Sequence, residues 1–181
     1  MRYIIDADQS RLTVQAFVKG LLSAFGHSPM LAVYGLKGEV EFDAVVPEAA
    51  TLRLSVPADS LTVFDNMSET DRREIERKTR EEVLEAARYP EIVFQSVNVS
   101  TKQTGEAQYL IRLSGDLSLH GVTRTQTIEA GMLLTQNCLL ARGESTIRQS
   151  DFRIKPVTAL GGAIKLKDEL ELFFDIIACS S

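Results

Sequence analysis

Apolar and polar residues alternate along most of this chain, as in strands whose successive side chains face opposite sides of a sheet. In "AQYLIRLSGDLSL", Tyr109, Ile111, Leu113, Leu117 and Leu119 are apolar while Gln108, Arg112, Ser114, Asp116 and Ser118 are polar. "KLKDELELFFDIIA" repeats the pattern, with Leu166, Leu170, Leu172, Phe174 and Ile176 set against Lys165, Lys167, Glu169, Glu171 and Asp175. "RLTVQAFV", "GEVEFD", "TLRLSVP" and "EIVFQSVNVS" follow the same rule, and "NCLLARGESTI" follows it more weakly. Together they predict about eight strands. Turn-forming clusters separate them, "TKQTGE", "HG", "TQN" and "LGG" among them, and such short links imply antiparallel neighbours. Strands with one apolar face each bury it in a sandwich or in a sheet closed into a barrel.

One segment breaks this rhythm. "SETDRREIERKTREEVLEAARYP" predicts a helix over 68–88, roughly five turns long. Ser68 is a suitable N-cap, Glu69 and Asp71 suit the positive end of the helix dipole, and Pro90 ends the run. Apolar residues gather in its second half as Val83, Leu84, Ala86 and Ala87, with Ile75 earlier. Glu74/Lys78, Glu76/Arg80 and Arg77/Glu81 are spaced to pair along a solvated face. The helix is therefore expected to lie on the sheet by its C-terminal half.

In "SGDLSLHGVTRTQTIEA" alternation runs to Leu119 and resumes at Val122. His120–Gly121 is then a two-residue hairpin loop of type I′, which needs positive φ at both central residues; Gly adopts it freely and His more readily than most. This register sets Leu117 opposite Arg124 and Gly115 opposite Gln126. It aims Arg124 and Gln126 at the apolar face, unless a bulge turns them outward.

Composition narrows the functional classes. With 181 residues, 44% hydrophobic and 25% charged, the chain is expected to form one domain, 1–181. A net charge of −5 gives no general reason to meet phosphates, so nucleic acid is not an expected partner. The start "MRYIIDADQS" carries Asp6 and Asp8, and no stretch reaches the ~18 consecutive apolar residues of a membrane span. A cytoplasmic location is expected. Cys138 and Cys179 lack CxxC-type spacing and lie in apolar strand-like segments, which suits buried free thiols better than a disulfide. His27 and His120 are the only histidines; without HxH, HExxH or a cysteine pair they do not complete a metal site. "GxSxG" is absent, and Asp116, Ser118 and His120 share one strand edge, so no hydrolase triad is expected. We expect neither an enzyme nor a bound cofactor.

"YIIDADQSRLTV", "LKGEVEFD", "RYPEIVFQS", "YLIRLSGDLSLHGVTRTQTIEA" and "IRQSDFRI" resemble, in order and spacing, the motifs of the YceI-like family. The resemblance runs from Tyr3 to about Ala178, and its most specific part is "GDLSLHGVT" joined to "YPEIVF" upstream. It implies a mainly β fold: an antiparallel lipocalin-like β-barrel of about eight strands, one packed α-helix and a long apolar tunnel. Several members of that family bind polyisoprenoids or comparable long-chain amphiphiles, and the resemblance implies no catalytic centre. The chain departs from the family pattern at Gln9, where a histidine is usual, and at Gln149 and Arg153, where an arginine and a glycine are usual.

A chain-carrying barrel needs inward apolar side chains, since each methylene leaving water contributes about 0.8 kcal/mol. Alternation offers Val14, Ala16, Val40, Phe42 and Leu54 from the first half of the chain. From the second half it offers Phe94, Leu113, Leu117, Leu172 and Phe174. "LLSAFGHSP" contributes Leu22, Phe25 and His27 as either a mouth, with His27 reaching a headgroup, or an ordinary turn. Arg124 and Gln126 are the candidate polar contacts. The expected function is binding, sequestration or transport of a long-chain apolar or amphiphilic ligand, polyisoprenoid or fatty-acid-like. The alternative is a filled barrel serving as a protein-interaction module. Should the chain oligomerise, a homodimer is the default.

Overall fold

The computed structural model describes residues 1–19, 28–159 and 164–180. The strands are β1 (Arg2–Ile5), β2 (Arg11–Lys19), β3 (Met30–Val33), β4 (Lys37–Glu41), β5 (Thr51–Pro57) and β6 (Leu61–Val63). After helix α1 (Glu69–Lys78) come β7 (Glu91–Gly105), β8 (Gln108–Leu119), β9 (Val122–Leu134), β10 (Cys138–Arg148), the two-residue β11 (Thr158–Ala159) and β12 (Ile164–Ser180). Every pairing among them is antiparallel. The pairings β1-β4-β5-β7-β8-β9-β10-β12 return to β1 and close an eight-stranded barrel. The sheet alternative is thereby decided in favour of a barrel. The strands that sequence pattern missed, β1, β3, β6 and β11, are four residues or shorter, too brief for alternation to register.

Long strand β12 makes the closure. One edge pairs with β10 from Cys138↔Cys179 to Arg148↔Glu169. The other edge is shared, with β1 taking Ala178–Ser180 and β2 taking residues from Lys165 to Asp175. At the β1 end the ring closes directly through β4. At the other end β2, β3 and β6 continue the sheet outward, and α1 stands against the free edge of β6. It is held there mainly by polar bonds. Glu76 Oε1 accepts from Val63 N at 2.9 Å, and Arg72 donates to the carbonyls of Val63 at 3.4 Å and Asp65 at 3.2 Å. These side chains satisfy edge-strand groups that would otherwise invite another strand.

The helix is shorter than the expected 68–88. Ser68 caps it, accepting from Asp71 N at 3.1 Å, but the α-helix stops at Lys78 and a single π-helical turn, Thr79–Val83, follows. The chain then turns through Glu85 at φ 45°. This break lets Leu84 pack with Leu119, Ile147, Phe152 and Ile154, a burial that a straight five-turn helix would give up. Glu74 and Lys78 pair at 3.5 Å and Arg77 and Glu81 at 3.2 Å, whereas Glu76 serves β6 instead of the expected Arg80.

The cysteines need correction too. Cys138 and Cys179 are not free thiols: they stand directly opposite in the β10–β12 register and form a disulfide. Their spacing in sequence, 41 residues, carried no hint of this, because cross-strand register alone sets them face to face.

The hairpin loop follows its sequence signature. His120 has φ 52° and Gly121 φ 70°, and the register runs Leu119↔Val122, Leu117↔Arg124 and Gly115↔Gln126 without a bulge. His120 is a corner post. Its Nδ1 lies 3.1 Å from the Phe152 carbonyl and its Nε2 2.6 Å from Glu85 Oε2, while the Tyr89 ring packs edge-on at 4.8 Å. A Cβ on Gly121 would meet Tyr89 Cε1 at 2.5 Å. Gly121→Ala should therefore cost about 3 kcal/mol, through strained φ and displacement of Tyr89; urea unfolding checks this. The Cys138→Ser/Cys179→Ser double variant should lose about 4 kcal/mol by the loop-closure argument, and wild type in reductant should match it in the same assay.

Candidate functional site

Two chambers run in series inside the barrel. The first, about 190 Å³, lies toward the β1/β4 end and is walled by side chains such as Val40, Leu54, Val99, Ile128 and Met132. The second, about 540 Å³, lies beneath α1 and is walled by Val14, Ala16, Leu31, Ile75, Leu166 and Leu170 among others. A belt of shared residues, Leu12, Val56, Ile92, Leu117, Ile147 and Leu172, borders both. Among the described residues the interior is thus open rather than filled as the alternative reading had it, and the larger chamber is within the size range of small-molecule sites, ~300–1,000 Å³.

Each inward apolar residue expected from alternation lines a chamber. Val14 and Ala16 face the one beneath α1. Val40, Phe42, Leu54, Phe94, Leu113 and Phe174 face the smaller one, while Leu117 and Leu172 face both. The phase holds because strands alternate strictly, with one instructive exception. In β7 the register slips between Ser96 and Asn98. Even-numbered Ile92 and Phe94 face inward before it, and odd-numbered Val99 after it, while Val97 is 72% exposed. Such a bulge inverts the facing of everything beyond it.

The smaller chamber is narrow because two rings lean over glycines. A Cβ on Gly115 would lie 2.7 Å from Phe94 Cζ, and one on Gly143 would lie 2.6 Å from Phe174 Cζ. Only glycine admits a ring at that distance.

The candidate polar pair separates. Gln126 is half-buried and lines the smaller chamber, as does Ser145. Arg124 does not line either chamber: it is exposed, and its Nε donates to the Asp151 carbonyl at 3.1 Å. At the hairpin end of β9 a long, charged side chain reaches out to the adjacent 149–152 turn, which spares it desolvation. Leu22, Phe25 and His27 lie outside the described residues.

Sequence reasoning missed Gln149. It is 3% exposed and faces the chamber beneath α1, with Nε2 donating to the Lys167 carbonyl at 2.9 Å. The register of β12 against β2 slips between Leu166 and Leu170, and the extra residues receive this turn: Asp168 accepts from Ser150 N at 2.8 Å and Ser150 Oγ at 2.5 Å. These bonds, Ser150 Oγ foremost, hold the Asp168 carboxyl below its ordinary pKa. Asp71, Glu74, Lys78 and Thr79 complete the chamber on the helix side. Arg77 hydrogen-bonds Glu74, and with lesser help from Lys78 it also lowers that carboxyl's pKa.

A family model described as the YceI-like domain matches residues 3–178. The chain belongs to the YceI-like family. A UPF0312 protein of Pseudomonas fluorescens is 31% identical over 133 residues, 72% of this chain and 62% of that protein. Another, from Pseudomonas savastanoi, is 33% identical over 129 residues, 71% of this chain and 60% of that protein. The chain thus spans about three fifths of the length of the curated relatives it matches. Among solved structures, BcnA of Burkholderia cenocepacia superposes with a TM-score of 0.73 at 16% identity, covering 96% of this chain and 98% of that one. A polyisoprenoid binding domain from Saccharophagus degradans gives 0.71 at 12% identity, covering 99% and 98%. At these identities the likeness is one of fold.

Phe94→Ala and Phe174→Ala should each widen the smaller chamber; the first should cost about 3–5 kcal/mol, the range for deleting a buried ring, and the second less, since Phe174 is half-buried. Xenon uptake, followed by 129Xe NMR, should rise in both variants.

Proposed function

We propose that this YceI-like protein binds a long-chain apolar or amphiphilic molecule inside the barrel, polyisoprenoid or fatty-acid-like, and sequesters or carries it without chemical change. One observation carries the reading: two apolar chambers meet end to end at a shared belt, a shape that suits a chain better than a compact or flat ligand. Burial of each methylene contributes about 0.8 kcal/mol, so a chain of ten or more is held tightly without any special polar contact. Aromatic residues make up 7% of the chain and Trp is absent, so the walls are mostly aliphatic and conform to a flexible hydrocarbon rather than stack on a ring. The Saccharophagus degradans neighbour, described as a polyisoprenoid binding domain, supports the same class of ligand.

Compartment is part of the proposal. The expected cytoplasmic location competes with an oxidising compartment, since the Cys138–Cys179 bond is of a kind that persists in oxidising surroundings. We favour the latter; thiol trapping in fractionated cells, with the bond found reduced and the protein in the cytoplasmic fraction, would reverse that choice.

Native mass spectrometry of the protein purified without detergent should show an added mass that organic extraction releases as a long-chain lipid. Leu117→Trp, which projects into the belt between the chambers, should reduce the bound fraction at least about tenfold, a loss of ~1.4 kcal/mol or more. A protein that stays ligand-free after incubation with excess polyprenols and fatty acids would refute the proposal.

A further inference from the structure

The outer wall of the wide chamber carries an unbalanced group of cations. Val18 of β2 and Leu166 of β12 face the chamber, and Phe17, Lys19, Lys165 and Lys167 alternate with them along the two strands. Lys19 stands directly opposite Lys165, a like-charge pairing that weakens a sheet. Lys167 is exposed beside them, its Nζ lying 5.4 Å from the Phe17 ring centroid. Arg153 and Lys155, also exposed, run in just before Val157, whose carbonyl accepts from Leu166 N at 3.0 Å. Among the described residues none of these cations makes an ion pair, and segments 20–27 and 160–163 contain no Asp or Glu. The acids of the neighbourhood are engaged elsewhere. Asp168 accepts from Ser150 N at 2.8 Å and Oγ at 2.5 Å, with Lys19 exerting only a through-space pull on it, and Glu169 pairs with Arg148 at 3.2 Å.

Apolar side chains share this outer face. Met30 of β3 stands opposite Gln15, two residues before Phe17, and Phe64 follows β6 with its N–H on the Met30 carbonyl at 2.8 Å. Phe64 is 68% exposed, while Phe17 and Met30 are half-buried. Gln15, between them, donates to the Ser28 carbonyl at 2.9 Å, and Asp65 accepts from Met30 N at 2.6 Å. Glu171, opposite Gln15, bounds the surface toward the middle of the barrel. Lysines beside aromatic and thioether side chains suit an anionic bilayer: ammonium groups meet lipid phosphates while the apolar groups enter the acyl boundary. With a net charge of −5, the molecule as a whole is repelled by such a surface. This wall is the local exception.

Resting on the chain-binding reading above for its purpose, we propose that the outer wall of the wide chamber docks on an anionic lipid bilayer. Lys19, Lys165 and Lys167 hold the phosphates, and Phe17, Met30 and Phe64 enter among the acyl chains. Docking this way sets the larger chamber, one strand thickness away, against the source of its ligand.

The test sediments the full chain with sucrose-loaded vesicles of phosphatidylcholine alone or mixed with phosphatidylglycerol. Mixed vesicles should bind it at least about tenfold more tightly, and raising the salt from about 0.05 to about 0.5 M should abolish the difference. Lys19→Gln/Lys165→Gln/Lys167→Gln should lower binding to mixed vesicles about a hundredfold, at about fivefold for each lysine. Lys37→Gln/Arg53→Gln/Lys102→Gln makes the same change in net charge at exposed positions of β4, β5 and β7, and should leave binding within about twofold. Because Trp is absent from the chain, the emission of Phe64→Trp reports that position alone, and it should shift to the blue on mixed vesicles. Equal sedimentation with both vesicle types, equal losses in the two triple variants, or Phe64→Trp emission unmoved by vesicles that sediment the protein overturns the inference. So does retention on heparin that the first triple variant loses, without vesicle binding, which assigns the lysines to a polyanionic macromolecule. Native mass spectra that show a bound chain, with no vesicle binding, refute the docking alone. Vesicle binding by a protein that takes up no chain refutes the chain-binding reading and leaves the docking surface in place.

Discussion

Strand β12 pairs with β10 along one edge and divides the other between β1 and β2, and the shape of the molecule depends on that division. A strand with one neighbour on each side would close a tube of constant girth. Changing neighbours part-way makes the girth differ at the two ends: at one, β1 joins β12 to β4 directly; at the other, β2, β3 and β6 carry the sheet outward. That leaves an opening which α1 covers. The narrow chamber lies toward the first end and the wide one toward the second, so the interior has a direction. An amphiphile entering such a space is oriented by width as well as by polarity.

The ends also differ in how they are held. Near the narrow end the disulfide ties β10 to β12, and Tyr3, Phe42, Tyr109, Met132 and Leu139 form a buried cluster. Near the wide end α1 buries no residue of its own and is attached by Arg72 and Glu76 to the backbone around β6. Individual polar bonds of this kind contribute about 1 kcal/mol each, far less than burial of a well-packed helix face. Opening free energy is therefore lowest where the larger chamber lies, in line with the tendency of binding regions to occupy the less stable parts of a fold.

Cavities carry a cost, because lining atoms lose the partners that close packing would give them. Here the walls tolerate it through stiff, continuous strands, with rings folded over Gly115 and Gly143 limiting the empty volume. Gln126, Ser145 and Gln149 are the polar side chains of β9, β10 and the following turn that face these spaces. They lie on one flank of the barrel, along strands whose pairing ends at Glu144↔Glu129. Beyond that point the 149–152 turn fills the fork, with Phe152 fully buried beneath it and Arg124 bonded over it.

Much of the frame was legible in the sequence because a period of two is imposed by covalent geometry. Wherever a strand is long and unbroken, as from Tyr109 to Leu119, inward and outward residues follow from counting. The His120–Gly121 turn was readable for an equally local reason, since few residues accept positive φ in succession. Local signals stop at contacts between segments distant in sequence. Cys138 meets Cys179 only through the β10–β12 register, α1 ends early only because Leu84 gains a pocket with Phe152, and Arg124 leaves the interior only because the Asp151 carbonyl lies within reach. Gln149 was noticed in the sequence merely as a departure from a motif. The slip in β12 brings the Lys167 carbonyl to its amide. The sequence by itself determined strands, facing and the hairpin, because those depend on neighbours along the chain. The tertiary structure alone decided closure, the two widths and the disulfide, because those depend on which distant strands share an edge.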